Sequence, residues 1–506
     1  MHSSKKIDSN TILLNPYEKM PALDPHCTIP GASVVRDYAC TLSQADVEQN
    51  KNKFYIIQLL KNGSTYYVWA RYGRTGEPKG SIRSETFTQE HEAITVFCKR
   101  YYEKTGNRWG VDPFVPKKNK YVEIEMEEPE VVQDTNSSSS TSSLDPRVVR
   151  VVEMFSSEKL MKSTLTLLDV DISKFPIGKI SKTQIAKGEE ILKVLRLYIE
   201  QSKTATANNL SRFGYSDAGE FIASRVLTLS SEFWSLIPYA SSRNKPPPKI
   251  STPEQLSKCV ELLEVIGNIG ITAKIIEKKQ SIDTVYDGLR TSMVPIDSGT
   301  DEWNMLCTYV SRTHGSTHPY RLDVQEIFAI DRVDHNAKLD PKNYFASVGN
   351  HRLLFHGSRM SNTVGIFSEG LRVPRPHQIV NGATLGPGIY LADSVTKSFN
   401  YCCAEPPENI GFVLVVEAAL GQSDDVRTMK GDPLPRGCTS RKANGDWTPD
   451  ETEFVKWSKD DKVVIPSGKL IPQTRLSGPC TFQYNEYVVF DPRLYRLRYL
   501  LVLKKV

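Results

Sequence analysis

A low-complexity run, VVQDTNSSSSTSSL at residues 131–144, sets the first limit on what this chain can fold into. Serine and threonine at that density bury too little apolar area to offset the entropy of ordering. The segment therefore reads as a linker, and the 506 residues divide around it. A chain of this length accommodates roughly two to four domains. Hydrophobic residues at 39 % and charged residues at 24 % suit globular domains with packed cores. The longest apolar runs, Phe412–Val416 and Tyr499–Leu503, are too short to span a bilayer. The opening MHSSKKIDSN lacks the apolar stretch of a secretory signal. No membrane partner is expected. The nine cysteines form no C-x-x-C pair and no Cys/His set with zinc spacing, so reduced thiols and no metal site are expected.

Before the linker, residues 1–30 are polar and proline-punctuated and read as a flexible tail. Phe54–Leu60 and Tyr66–Tyr72 are rich in β-branched and aromatic residues, with Lys61-Asn62-Gly63-Ser64 between them, the pattern of a β-hairpin. Ala93, Ile94, Phe97, Cys98 and Tyr101 then follow helical spacing. A small α+β domain over residues 31–130 follows from these signals. Lys51–Lys120 holds 14 Lys/Arg against 6 Asp/Glu, while Tyr121–Glu130 holds five Glu and no base. Such a basic region is suited to an anionic partner.

After the linker the period changes. Asp145-Pro146 is a cap followed by proline at the first helical position, with Val148, Val151, Val152 and Phe155 on one face. Ser181–Gln201 repeats the pattern, and Thr252-Pro253-Glu254 opens a further helix with Leu256, Val260, Leu263 and Ile266 along one side. Residues 145–285 read as all-helical. Strand signals dominate from there on, at Val324–Ile330, Arg352–Phe355, Val413–Glu417, Glu486–Phe490 and Tyr499–Val502. Residues 290–506 read as a β-rich α+β domain.

Three stretches of this last domain carry unusual chemistry: FHGSR around His356, GPGIYLADSVTKSFNYC around Tyr390, and YNEYVVFD around Glu486. Singly, a histidine after a strand, a tyrosine in a strand or a glutamate at a strand start has an ordinary structural explanation. Together, in this order and spacing, they closely resemble the catalytic domain of the poly(ADP-ribose) polymerases, and THGSTHPYRL from Thr313 resembles a further segment of it. FPIGKISKTQI resembles the helical regulatory domain of the DNA-dependent members. YVWARYGRTG from Tyr67 and EKTGNRW from Glu103 resemble the WGR module. The resemblance runs from about residue 40 to the end, to the short branch without zinc fingers. It implies a multidomain α+β protein: a WGR module, an all-α regulatory bundle and a β-rich α+β ADP-ribosyltransferase domain.

The resemblance also implies roles. NAD⁺ would be consumed as a substrate, with no resident cofactor. Loss of nicotinamide puts oxocarbenium character on its ribose, which a nearby carboxylate stabilises; this role falls to Glu486, with His356 and Tyr390 completing the catalytic set. His356 and Ser358 would bind the adenosine-side ribose. Gly357 would present its backbone to the carboxamide, and Ser398 would donate to the same group. Tyr390 and Tyr401 would sandwich the ring, supported by Lys397 and Arg372. Glu261 and Glu264 would lie on the regulatory helix facing the pocket. For DNA, Trp69 would pack on a sugar at a strand end and Arg71 would join DNA binding to the helical domain. Arg74, Lys104 and Asn107 would lie on the same face and neutralise or approach phosphates. No G-x-G-x-x-G follows a strand, which disfavours a hydride-transferring Rossmann enzyme.

Two departures stand out. Residues 69–71 read Trp-Ala-Arg where the signature has glycine. The loop NGATLGPG places Ala383, Thr384 and Pro387 where chain-elongating members typically have Tyr-Met and Lys. The reading is a nuclear ADP-ribosyltransferase activated by DNA ends or nicks in DNA repair. It would modify protein acceptors, including itself and histones, and extend the product to polymer. The alternatives are a single-unit transferase, a DNA-end-binding scaffold with little activity, or an NAD⁺ glycohydrolase.

Overall fold

The computed structural model describes residues 21–75, 80–125, 142–167, 180–201, 218–237, 239, 246–276, 281–332, 340, 342–373, 384–404 and 406–506. Residues 1–20 of the expected tail, 131–141 of the linker and Asn381–Ala383 of the loop lie outside them. The chain forms two compact units, residues 1–130 with 234–247, and residues 131–233 with 248–506.

The first unit is a five-stranded antiparallel sheet in the order β4-β3-β2-β1-β5, made of β1 (Ser33–Asp46), β2 (Lys51–Asn62), β3 (Thr65–Arg74), β4 (Ser81–Phe87) and β5 (Val122–Ile124). The expected hairpin is present: Asn62 pairs with Thr65, leaving a two-residue turn whose Gly63 sits at φ +58°, a region open to glycine at little cost. Helix α1 (Glu90–Thr105) covers one face, where Leu42, Ile57, Leu59, Val68, Ala70, Ala93 and Phe97 form the core. The opposite face is covered by residues the sequence assigned to the tail. Cys27 and Ile29 pack with Val34, Leu60 and Trp69, and the Gln58 amide accepts from Asp24 N–H and donates to Ala22 C=O. Residues 21–30 are thus part of the domain. So is a stretch from far downstream: Ser235 Oγ accepts from Ala45 N–H at 2.8 Å and Asn52 donates to Tyr239 C=O at 2.8 Å.

The second unit opens with α2 (Pro146–Ser156), α3 (Glu158–Leu167), α4 (Lys182–Gln201), α5 (Ala218–Leu236, whose last residues belong to the first unit), α6 (Pro253–Ile276) and α7 (Ile282–Gly288). The Asp145 carboxylate accepts from Arg147 N–H, as a cap should. Ser142 and Ser143, the last residues of the linker run described, are tied to Asp283.

Its sheet strands follow as β6 (Thr291–Pro295), β7 (Leu322–Arg332), β8 (His351–Gly357), β9 (Ile389–Leu391), β10 (Ile410–Ala419), β11 (Ser423–Val426), β12 (Ser440–Ala443), β13 (Trp447–Pro449), β14 (Val455–Trp457), β15 (Asp460–Ile465), β16 (Leu470–Pro472), β17 (Glu486–Val489) and β18 (Tyr495–Lys505). Between them lie α8 (Asp301–Arg312), α9 (Tyr344–Val348), α10 (Thr363–Glu369) and α11 (Val395–Phe399). A seven-stranded sheet runs β14-β15-β8-β10-β18-β7-β6, a four-stranded sheet runs β11-β12-β17-β9, and β13 pairs with β16.

Strand β10 is buried on both faces, and its period of two shows in the packing. Phe412, Leu414, Val416 and Ala418 enter one core with Ile389, Tyr487 and Val489 of the smaller sheet, while Val413 and Val415 enter another with Leu306, Tyr309 and Phe355. The first core also contains Val148, Val151, Val152 and Phe155. Helix α2, expected within an independent helical domain, is therefore embedded in the β-rich body, with each such side chain contributing about 1.5–3 kcal/mol by burial.

Candidate active site

The two sheets meet at one bridge. Phe355 near the end of β8 exchanges backbone hydrogen bonds of 2.8 and 2.9 Å with Ala392, just past β9. Everything chemical is arranged around this junction. His356 follows Phe355, and its Nδ1 donates to Tyr390 C=O at 2.9 Å. Burial lowers the imidazole pKa below its ordinary 6.5, and the carbonyl bond offsets this only in part. The ring is therefore neutral near pH 7 with its proton on Nδ1, which leaves Nε2 as an acceptor for a hydroxyl.

Gly357 sits where no side chain fits. A Cβ there would lie 1.7 Å from Ser398 C=O, so the close approach of β8 to α11 requires glycine. The Ser398 hydroxyl donates to Phe355 C=O at 3.1 Å. Tyr390 lies opposite Val488 in the β9–β17 pairing, which brings its ring beside the strand that begins with Glu486. Burial raises its phenol pKa, and Glu486 and Tyr401 add to the shift through space. Tyr401 is exposed at 51 %, free to meet a ligand.

Glu486 is 8 % exposed and its Oε1 lies 2.5 Å from Lys397 Nζ. Burial alone would lower the lysine pKa, but attraction to Glu486 outweighs it and the net shift is upward. The strand that presents Glu486 is pinned by Asp393, whose Oδ2 accepts from Asn485 and from the Tyr487 hydroxyl, both at 2.8 Å. Each neighbour of Glu486 is thus fixed by one buried carboxyl. The segment from Thr313 is tied to α11 through Gly315 N–H to Thr396 Oγ1 at 2.9 Å and Ser394 Oγ to Thr313 C=O at 3.0 Å.

Helix α6 lies against the other end of the site. Glu261 pairs with Arg359, the residue after Ser358. Asn268 donates to Asn362 at 2.8 Å, and Asn362 donates to Ser358 Oγ at 2.9 Å. Arg372 pairs with Glu369, which also binds Lys182 at 3.2 Å. Glu264 is exposed to solvent, and its carboxyl pKa is raised by partial desolvation, opposed by Arg372 and helped by Glu261 and Glu189. Arg359, Asn362, Asn268 and Asp393 were not singled out from the sequence as site residues, because their significance lies in pairings between distant segments.

The expected DNA contacts fare less well. Trp69 is 0 % exposed, enclosed in the apolar cluster under Cys27 and Ile29, and cannot reach a sugar without unfolding that face. Arg71 is 4 % exposed and pairs with the buried Asp24 at 2.9 Å, so its charge is already neutralised. Arg74 is half-buried and donates to Asn50 C=O at 2.8 Å. Lys104 lies 4.7 Å from the Tyr55 ring centroid, and the Asn107 amide bridges to Val115 N–H and C=O. An aromatic on the same strand that is exposed is Tyr72, at 37 %, stacked on Tyr55 at 5.5 Å and 20°. Tyr72-Gly73-Arg74 has the aromatic-Gly-Arg order that Trp69-Ala70-Arg71 lacks.

Comparison with known proteins agrees with this architecture. Residues 300–505 match the family model of the poly(ADP-ribose) polymerase catalytic domain, residues 142–291 that of its regulatory domain, and residues 38–115 that of the WGR domain. The chain is 32 % identical to the human protein mono-ADP-ribosyltransferase PARP3, over 95 % of this chain and 90 % of that protein. It is 32 % identical to poly [ADP-ribose] polymerase 2-A of Oryza sativa subsp. japonica, over 92 % and 69 % of the two. Against poly [ADP-ribose] polymerase 1 of Xenopus laevis the identity is 32 %, over 96 % of this chain but 48 % of that longer protein.

Proposed function

Since this chain belongs to the poly(ADP-ribose) polymerase family, we propose that it transfers ADP-ribose from NAD⁺ to protein side chains in response to DNA. The observation that carries the reading is the meeting of His356, Tyr390 and the Lys397–Glu486 pair at the junction of two sheets. NAD⁺ is consumed as substrate, not kept as a cofactor.

The chemistry follows from the groups present. Neutral His356 accepts a ribose hydroxyl at Nε2, and Ser358 supports it. Gly357 offers backbone to the carboxamide, with Tyr390 and Tyr401 about the ring. The bond between the ribose C1′ and nicotinamide breaks with its electron pair moving to the ring nitrogen, which leaves as a neutral base. Positive charge on the ribose faces the Glu486 carboxylate. An acceptor oxygen attacks C1′ and its proton passes to Glu486. Lys397 holds that carboxylate in place.

DNA ends or nicks are the activating partner, bound on the basic first unit through Tyr72 and its neighbours, not through Trp69 or Arg71. Helix α6, tied to Arg359 and through Asn362 to Ser358, restrains the ribose end of the site until DNA is bound. The site of action is the nucleus, and the acceptors include the protein itself and histones. The product is polymer; Thr384 and Pro387 in the loop, and the single-unit activity in the name of the human relative, favour a second reading with one ADP-ribose per site. Incubation with labelled NAD⁺, with and without nicked or blunt DNA, tests transfer, its DNA dependence and the product on a denaturing gel. A DNA-dependent ladder on protein is expected. A discrete band selects the single-unit reading, and free ADP-ribose without labelled protein overturns transfer.

A further inference from the structure

Leu385 and Gly386 end the loop that leads into β9, and their peptide groups are gripped from two sides. Leu385 N–H donates to the Tyr390 hydroxyl at 3.0 Å, and that hydroxyl donates to Gly386 C=O at 2.8 Å. From the other side Leu385 C=O accepts from Arg441 Nη1 at 2.8 Å.

Arg441 lies on β12 and is 0 % exposed. Its guanidinium reaches Lys430 C=O at 2.8 Å, Pro433 C=O at 3.4 Å and Asp424 Oδ2 at 2.8 Å. The same carboxylate binds Lys430 Nζ at 3.1 Å, and Lys430 N–H donates to Thr384 C=O at 2.9 Å. Burying an arginine is costly unless its donors are used and its charge is paired; both conditions hold here. Only a planar fork with five N–H groups meets three carbonyls and a carboxylate at once. Besides the Asp424 carboxylate on β11, the acceptors are loop carbonyls, which places the cluster's effect largely on the loop.

We propose that Arg441 is a positioning residue for Tyr390: by fixing the Leu385 carbonyl it fixes the peptide against which the tyrosine hydroxyl is locked, and so the plane of the ring at the nicotinamide site. This rests on the function proposed above. Asp424 acts one step further out, by orienting the guanidinium. The backbone of Tyr390 is placed by β9 pairing and by the bond from His356; its ring orientation is set at the hydroxyl, by Leu385 and Gly386 ahead of the strand.

The test is a double-variant cycle on the full chain, with nicotinamide as the probe and calorimetry as the readout. Arg441→Met and Tyr390→Phe are each expected to weaken nicotinamide binding about tenfold, the loss of one hydrogen bond's worth of order. The double variant should be no weaker than either single one, because both break one linkage. Arg441→Lys, which keeps the charge but not the fork, should fall between wild type and Arg441→Met. It also serves as the readable variant if Arg441→Met does not fold. Multiplicative losses in the double variant, or unchanged affinity in Arg441→Met and Arg441→Lys, overturn the proposal. Wild-type protein that binds no nicotinamide and labels no protein from NAD⁺ overturns the proposed function itself, whereas labelled wild type with independent single effects overturns the role of Arg441 alone.

Discussion

Asn268 on α6 donates its side-chain amide to Asn362 at 2.8 Å, and the room for this contact is provided by Gly365, where a Cβ would lie 2.3 Å from Asn268 Oδ1. The regulatory helix therefore touches the Ser358 end of the site through a contact that one methyl group disrupts. Gly365→Ala should push α6 off Asn362 while adding about 1 kcal/mol of local helix propensity to α10. The expected result is DNA-independent labelling raised roughly tenfold, the effect of a modest population shift, with unfolding temperature little changed. An unchanged rate without DNA would remove α6 from its restraining role. Deleting residues 145–285 outright is a poorer experiment, because it strips Val148, Val151, Val152 and Phe155 from the catalytic core.

Glu486→Gln removes the charge that faces the ribose but keeps the shape. Transfer should fall by about 10²–10³, the usual cost of losing one electrostatic stabiliser, while NAD⁺ affinity stays within about threefold of wild type. A variant that transfers normally would take Glu486 out of the chemistry.

His356 gives a pH signature. Its folded pKa lies below the ordinary 6.5 because burial favours the neutral ring. Below pH 6.5 the unfolded chain takes up a proton that the folded chain refuses, so stability falls as pH falls; above 6.5 both states are neutral and the effect vanishes. KM for NAD⁺ should therefore be flat from about pH 6.5 to 8. His314 and His318 shift in the same direction by burial, so the informative measurement is the difference between wild type and His356→Gln. The variant should lose stability less steeply on acidification, and equal slopes would contradict the neutral ring.

Trp69 and Tyr72 should separate cleanly. Trp69→Ala empties a fully enclosed site and should cost about 3–5 kcal/mol of stability, seen by denaturant unfolding. Tyr72→Ala removes an exposed ring and should cost about 1 kcal/mol or less, while raising the DNA concentration needed for activation. If Tyr72→Ala leaves that concentration unchanged, the exposed stack is not the DNA contact.

How far the sequence alone reaches can be seen residue by residue. His356, Tyr390 and Glu486 lie in strings whose order and spacing are distinctive, and the structure places His356 and Tyr390 in hydrogen-bond contact and Tyr390 on the strand paired with the one that Glu486 opens. Local patterns also located the hairpin and the amphipathic helices. What they missed depends on contacts across the chain. Residues 21–30 are too polar to look like a core, yet Asp24 is buried because Arg71 is 47 residues away in sequence and adjacent in space. Trp69 is fully enclosed because the apolar strand around it is covered by Cys27 and Ile29, which local sequence does not reveal. Arg441 gave no signal, since a lone arginine in a short strand reads as surface until the loop carbonyls appear around it.

Ser235 and Tyr239, far along the chain, complete a domain that otherwise ends near residue 125. The backbone thus leaves the first unit, builds part of the second and returns before departing for good. Cut within the serine run, the two fragments should behave as complementing halves, each incomplete alone and re-associating when mixed, in contrast to beads freed from a string.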